Sequence, residues 1–163
     1  MKRTASIFVA LVSIVILISG SACSGTPDAD FVSAGLYKFG KTEAEVIKAL
    51  GEPVRVTEEK SKNLYIEGGT DVIRTLEYAG VSVAVMKAAN GNEYIERVTI
   101  TADTYRFDGL AVGSSKEEVT GRIGEPTLVE GDSIYYSAGM GAAAVRFFFS
   151  GGVVTKIVFM NTA

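Results

Sequence analysis

The sequence predicts an α+β fold of two tandem repeats, each a short helical segment followed by an antiparallel β-meander. Three observations predict it. First, Gly40-Lys41-Thr42-Glu43-Ala44-Glu45-Val46 and the residues through Leu50-Gly51-Glu52-Pro53 align without gaps on Gly113-Ser114-Ser115-Lys116-Glu117-Glu118-Val119 through Ile123-Gly124-Glu125-Pro126, at a constant offset of 73 residues. Two such blocks in one chain point to an internal repeat. Second, each block carries its own start and stop. Thr42 and Ser115 are N-cap hydroxyls, and Glu45 and Glu118 three positions later complete a capping box. Val46 with Leu50, and Val119 with Ile123, put apolar side chains on one helical face. Gly51 and Gly124 are expected in the left-handed C′ position at the helix exit, and Pro53 and Pro126 prevent continuation. Third, apolar alternation with turn residues follows each block, the signature of antiparallel strands.

The elements follow in order. Met1-Lys2-Arg3 is a positive start, 7–19 is a nearly unbroken apolar run, and Gly20-Ser21-Ala22 leads into Cys23. This is the layout of an export signal with a cleavage site. The Cys directly after it resembles a bacterial lipobox, although Gly20 stands where most lipoboxes carry Leu. On that reading Cys23 is the lipidation site, 1–22 is removed, and the acyl chains anchor the protein. An ordinary signal peptide cleaved near Ala22 and a retained helical anchor are the alternatives. Loss of Lys2 and Arg3 leaves 14 basic against 19 acidic residues, a formal balance of −5 instead of −3. Residues 23–35 read as a flexible tether, 36–106 as the first repeat and 107–163 as the second.

In the first repeat, strands are expected over 54–58, 71–78, 81–86 and 94–101, with Asn90-Gly91-Asn92 turning the last pair. The polar stretch 59–70 reads as an inserted loop. In the second, 127–129, 133–136, 142–149 and 153–160 are the strands, with Ser150-Gly151-Gly152 as the turn. Alternation puts Leu76, Tyr78, Val98 and Ile100 on one parity and Thr75, Glu77, Arg97 and Thr99 on the other. It turns Phe147, Phe149, Ile157 and Phe159 inward and leaves Arg146, Phe148, Lys156 and Val158 outward.

The Gly-x-Thr/Ser-x-x-x-Val-x-x-x-Leu/Ile-Gly-x-Pro pattern, followed by a meander, resembles the small outer-membrane-assembly lipoproteins of the SmpA/OmlA type. Its tandem form is similar to the β-lactamase inhibitory protein fold, and to bacterial lipoproteins with two such units behind a lipobox. The resemblance covers about 36–163. It implies a protein that binds other proteins through a sheet face or its loops, without chemistry. The inhibitory proteins have disulfides in their repeats, and a chain with one Cys cannot form one.

Composition narrows the chemistry. With no His, no Trp and a single Cys, His-dependent triads, His/Cys zinc sites and an intrachain disulfide framework are excluded. A pI near 5.1 offers no basic footprint for nucleic acid. No catalytic residue, metal ligand or cofactor site is expected. Glu43, Glu45, Glu117 and Glu118 lie in first helical turns, where carboxylates favour the dipole. Glu52 and Glu125 recur in identical helix exits without a structural reason for the acid. The run 138–142 precedes a strand and reads as a tight connection rather than a phosphate loop.

Consecutive strand residues face opposite ways, so Tyr135-Tyr136 and Phe147-Phe148-Phe149 cannot all be buried by one layer. Tyr135, Arg146, Phe148 and Lys156 are the candidate partner-binding residues, with packing between the repeats as the plainer alternative. The expected function is a membrane-anchored cell-envelope lipoprotein, a non-enzymatic module that binds another envelope protein. The alternative is a small-ligand lipoprotein capturing a hydrophobic or glycan ligand in a cleft between the repeats, lined by Tyr78, Tyr136 and Phe148. An enzyme would need a converging Glu/Lys pair in a pocket.

Overall fold

A computed structural model of the chain describes residues 29–138 and 142–162. The export segment, Cys23 and the stretch 139–141 lie outside the described residues. Among the described residues, three helices, α1 (Ala29–Leu36), α2 (Glu43–Leu50) and α3 (Lys116–Ile123), accompany eight strands. The strands are β1 (Arg55–Lys62), β2 (Thr70–Tyr78), β3 (Val81–Lys87), β4 (Glu93–Ile100), β5 (Leu128–Glu130), β6 (Ser133–Ala138), β7 (Ala143–Ser150) and β8 (Val153–Asn161).

The expected two repeats of helix plus meander are corrected by the strand order. All eight strands form one antiparallel sheet, β1-β2-β3-β4-β8-β7-β6-β5. The join is the pairing of β4 with β8, in which Val98 faces Phe159 and Ile100 faces Ile157. A meander ending at β4 would present an unpaired edge beside apolar side chains, a surface prone to further pairing. Pairing the two last strands satisfies both backbones and buries all four residues, leaving each at most 1% exposed. The result is a single core cluster that takes residues from both halves.

A second correction concerns the tether. Residues 29–35, assigned to it, form α1 together with Leu36. Val32 and Leu36, one turn apart, are buried. Gly35 lies against Phe159 so closely that a Cβ there would fall 2.0 Å from Cε1 of the ring. The Phe31 and Phe107 rings complete the contact, with centroids 5.9 and 4.8 Å from that of Phe159. Thus α1 covers the β4–β8 junction, and glycine is what lets its backbone approach.

The helix blocks form where expected, with one difference. In α3 the box is complete: the Glu118 N–H donates to Ser115 Oγ at 3.1 Å, and the Ser115 N–H donates to Glu118 Oε2 at 2.7 Å. In α2 the Glu45 N–H donates to Thr42 Oγ1 at 3.3 Å, but Glu45 Oε2 accepts from the Lys41 N–H at 2.7 Å. The carboxylate serves the residue before the cap, so the reciprocal half of the box is absent there. Gly51 and Gly124 end the helices at φ 84° and 96° with nearly extended ψ, rather than the expected left-handed helical geometry. That backbone region is essentially restricted to glycine. Gly40 and Gly113 also have positive φ, and Pro53 and Pro126 stand between each helix exit and the following strand.

β1 is longer than expected. It pairs with β2 from Arg55 opposite Glu77 to Lys62 opposite Thr70. Residues 59–62 and Thr70 of the supposed loop 59–70 are therefore strand, and the connection between the strands shrinks to 63–69.

Candidate functional site: the open face of the sheet

Residues directly opposite on antiparallel strands share a face. One face carries the row Val56, Leu76, Val83, Val98, Phe159, Val145 and Tyr136. All three helices lie on this side. α1 reaches Phe159, α2 ties to Arg74 through Glu43, and the Gly124 carbonyl at the end of α3 accepts from the Tyr136 hydroxyl at 3.1 Å. The other face carries the row Arg55, Glu77, Ser82, Thr99, Val158, Arg146, Tyr135 and Leu128. No helix among the described residues covers it.

The four candidate residues come together on that open face. Tyr135 pairs with Arg146 across β6–β7, and Phe148 with Lys156 across β7–β8. Arg146 and Phe148 are two positions apart on β7, so the strand repeat stacks them side by side. The Arg146 guanidinium lies 5.5 Å from the Tyr135 ring centroid and 6.0 Å from that of Phe148. Lys156 Nζ stands 3.9 Å over the same Phe148 ring. Each contact of this kind contributes roughly 0.5–1 kcal/mol at exposed sites. Glu130 on the edge strand holds Arg146 from the side, Nη1 to Oε2 at 3.1 Å. The cluster is a half-buried aromatic and cationic surface, prearranged by its own neighbours.

The aromatic runs divide as the pleat requires. Tyr136 and Phe147 are buried on the covered face, meeting edge to face with centroids 6.2 Å apart, and Phe149 packs against the same core. Tyr135 and Phe148 go to the open face. Val158, read as facing outward, does lie on the open face, yet only 8% of it is exposed. Its cross-strand neighbours Arg146 and Thr99 flank it.

Tyr78, Tyr136 and Phe148 do not line one cleft: the first two pack on the helix-covered side, and the sheet separates them from Phe148. A hollow of about 220 Å³ lies elsewhere, where the β5–β6 and β7–β8 turns meet the start of α3, and is lined by Lys116, Asp132, Ser133, Ile134, Phe149 and Ser150 among others. Among the described residues no group of three or more His, Cys, Asp or Glu could hold a metal ion.

Two polar features escaped the sequence. Glu43, expected only to favour the helix dipole, turns onto the sheet and pairs with Arg74 at 3.2 Å and Lys87 at 2.9 Å, while its side chain is 12% exposed. The Glu43 N–H donates to Glu93 on β4. Nothing in the local pattern links positions so far apart in the chain. Glu52 and Glu125 stand near tyrosines beneath the helix exits. Burial pushes the Tyr136 hydroxyl up to about 12, with the Glu125 charge adding to it. Burial first, then Glu52 and Glu43, raises Tyr78 in the same direction.

No family model matches the chain, and no curated protein matches it. Two solved structures are similar. An extracellular protein containing a SCP domain from Bacillus anthracis str. Ames aligns with 94% of this chain and 50% of its own, at 12% identity and a TM-score of 0.47. This chain therefore spans half the length of that protein. A DUF4309 family protein (YjgB) from Bacillus subtilis subsp. subtilis str. 168 aligns with 82% of this chain and 97% of its own, at 14% identity and a TM-score of 0.44. No helix among the described residues is long and apolar enough to cross a membrane. Likenesses this distant leave the reading of the surface to the residues themselves.

Proposed function

We propose that the chain is an exported, lipid-anchored protein of the cell envelope, a non-enzymatic module that binds another envelope protein through the open face of its sheet. The observation that carries this reading is the stack of Tyr135, Arg146, Phe148 and Lys156 on a face no described helix covers. Arginine and tyrosine dominate binding hot spots because they combine apolar area with a polar handle. Here they are already held in place, which lowers the ordering cost of association. The export signal and the lipobox-like Cys23 support the envelope location, and the resemblance to lipoproteins that bind proteins through a sheet face supports the mode of binding.

The test is crosslinking in intact cells followed by capture of the protein, in parallel with an Arg146→Ala/Phe148→Ala variant whose circular dichroism matches the parent. One stoichiometric envelope protein, lost with the variant, is the expected result. A partner retained by the variant moves the surface elsewhere. A small molecule that co-purifies in place of any protein overturns the reading. Cys23→Ala should release the protein from membranes; retention would mean that the apolar N-terminus holds it there without the lipid.

A further inference from the structure

β1 and β2 run past the rest of the sheet. β3 pairs with β2 only as far as Lys87 opposite Val72, whereas β1 continues to Ser61 opposite Asp71 and Lys62 opposite Thr70. The hairpin therefore projects beyond β3, at the end of the molecule that also carries the β3–β4 turn. At its tip Leu64 is 86% exposed, Tyr65 93% and Ile66 39%. Three consecutive exposed apolar residues are a solubility liability that folded surfaces avoid unless they serve a purpose.

The tip is built, not loose. Asn63 Oδ1 accepts from the backbone N–H groups of Tyr65 at 2.8 Å and Ile66 at 2.7 Å. Asn63 Nδ2 donates to both carboxylate oxygens of Asp71, at 2.9 and 3.0 Å. Asp71 Oδ1 also accepts from the Ala89 N–H at 2.8 Å, tying the hairpin to the neighbouring turn. The Asn63 and Gly69 N–H groups close the loop onto the carbonyls of Gly69 and Ile66. Every one of these bonds shapes the backbone, and none engages the side chains of Leu64 or Tyr65.

We propose that this tip is a membrane finger: Leu64, Tyr65 and Ile66 enter the interfacial layer of a lipid bilayer and set the orientation of the anchored domain. The inference rests on the reading that the chain is held at a membrane through Cys23. Five residues lie between Cys23 and Ala29 at the start of α1, a span of six Cα–Cα steps. Even fully extended, that span reaches only about 20 Å at ~3.3–3.6 Å per residue. The fold thus sits within its own dimensions of the lipid surface. A convex apolar prominence offers no groove for a peptide, but it suits a deformable medium, and the amphipathic ring of tyrosine settles at the headgroup level. Lys60 and Lys62 are outnumbered by Glu58, Glu59 and Glu67, so the attraction is apolar and does not need anionic lipid. One lipid tether fixes position; a second contact fixes which way the open face of the sheet points.

The chain has no tryptophan, so Tyr65→Trp introduces a single fluorescent reporter, and Tyr135→Trp supplies a control on the sheet face. The full lipidated chain carrying either change is placed on phosphatidylcholine vesicles with brominated acyl chains, and flotation reads anchoring independently. The expected result is co-flotation of both, a blue-shifted emission for Tyr65→Trp, and quenching about twofold or more above that of the control. High salt and added anionic lipid should leave that difference unchanged. Leu64→Asp/Ile66→Asp in the Tyr65→Trp background should abolish it while flotation persists. Co-flotation with equal quenching of the two reporters overturns the finger and leaves the anchor standing. A chain that does not float overturns both.

Discussion

The half of the sheet built from β1–β4 and the half built from β5–β8 begin with nearly the same helix and finish with different surfaces. α3 is closed by its own capping box and by the Tyr136 hydroxyl, a self-contained unit on its strands. α2 lacks the reciprocal half of the box and is fastened to β2, β3 and β4 by the charges around Glu43. The first half then spends its edge strand on a long hairpin with an apolar tip, while the second keeps β5 to three residues and concentrates aromatic and cationic groups on the open face. A helix signal written twice therefore specifies a helix twice, but not how the helix is held or what its strands present.

The largest effect expected separates the covered and open faces at two phenylalanines of the second half. Phe159→Ala removes a fully buried ring beneath α1 and should cost about 3–5 kcal/mol in urea unfolding. Phe148→Ala should cost less than about 1 kcal/mol, because its ring is only half-buried and its contacts are cation–π. Gly35→Ala should fall between them, at roughly 1–3 kcal/mol, as the new methyl drives the Phe159 ring aside. Equal losses at Phe159 and Phe148 would show that the open face is not open.

A smaller effect distinguishes the two tyrosines. The Tyr136 hydroxyl donates to the Gly124 carbonyl, whereas the buried Tyr78 hydroxyl finds no hydrogen-bond partner among the described residues. Tyr136→Phe should lose about 0.5–1.5 kcal/mol, and Tyr78→Phe should be neutral or slightly stabilising. The folded pKa of Tyr136, about 12, lies above the ordinary value of 10.0. The fold therefore favours the neutral phenol. Its contribution is complete below pH 10 and is lost as pH rises through about 12. The alkaline fall in urea midpoint should be shallower in Tyr136→Phe than in the parent protein; an unchanged slope would remove this tyrosine from the account.

The smallest difference lies at the caps. Ser115→Ala should cost about 1 kcal/mol, because the variant loses a 3.1 Å cap bond within a complete box. Thr42→Ala should cost less, its cap bond being 3.3 Å and without the reciprocal partner. The reverse order, measured by thermal unfolding of both variants, would mean that the two helices are anchored alike.

Much of the covered face was legible from alternation, because a buried sheet face demands one parity along every strand. Phe147, Ile157 and Phe159 followed that rule, and Arg146, Phe148 and Lys156 took the opposite side. The helix α1 was not legible: Ala29–Leu36 is a weak helix by itself, and its stability comes from Val32 and Leu36 meeting a sheet that lies far along the chain. The long β1 was hidden for a related reason. Its eight residues are almost all exposed and polar, so no burial pattern marked them as a strand. The apolar Leu64-Tyr65-Ile66 tip was visible as letters, but its exposure depended on the hairpin beneath it.

By itself the sequence determined what local chemistry can determine: where α2 and α3 start and stop, which residues alternate, and which catalytic and metal-binding classes a chain without histidine cannot enter. The tertiary structure decided everything that required two distant segments to meet. It joined β4 to β8 and so made one sheet of two expected ones, laid α1 over that junction, aimed Glu43 at Arg74 and Lys87, and stacked Tyr135, Arg146, Phe148 and Lys156 on a single face. The physical reason is that caps and turns act over a few residues, whereas edge pairing and burial are settled only when the whole chain has collapsed around a common core.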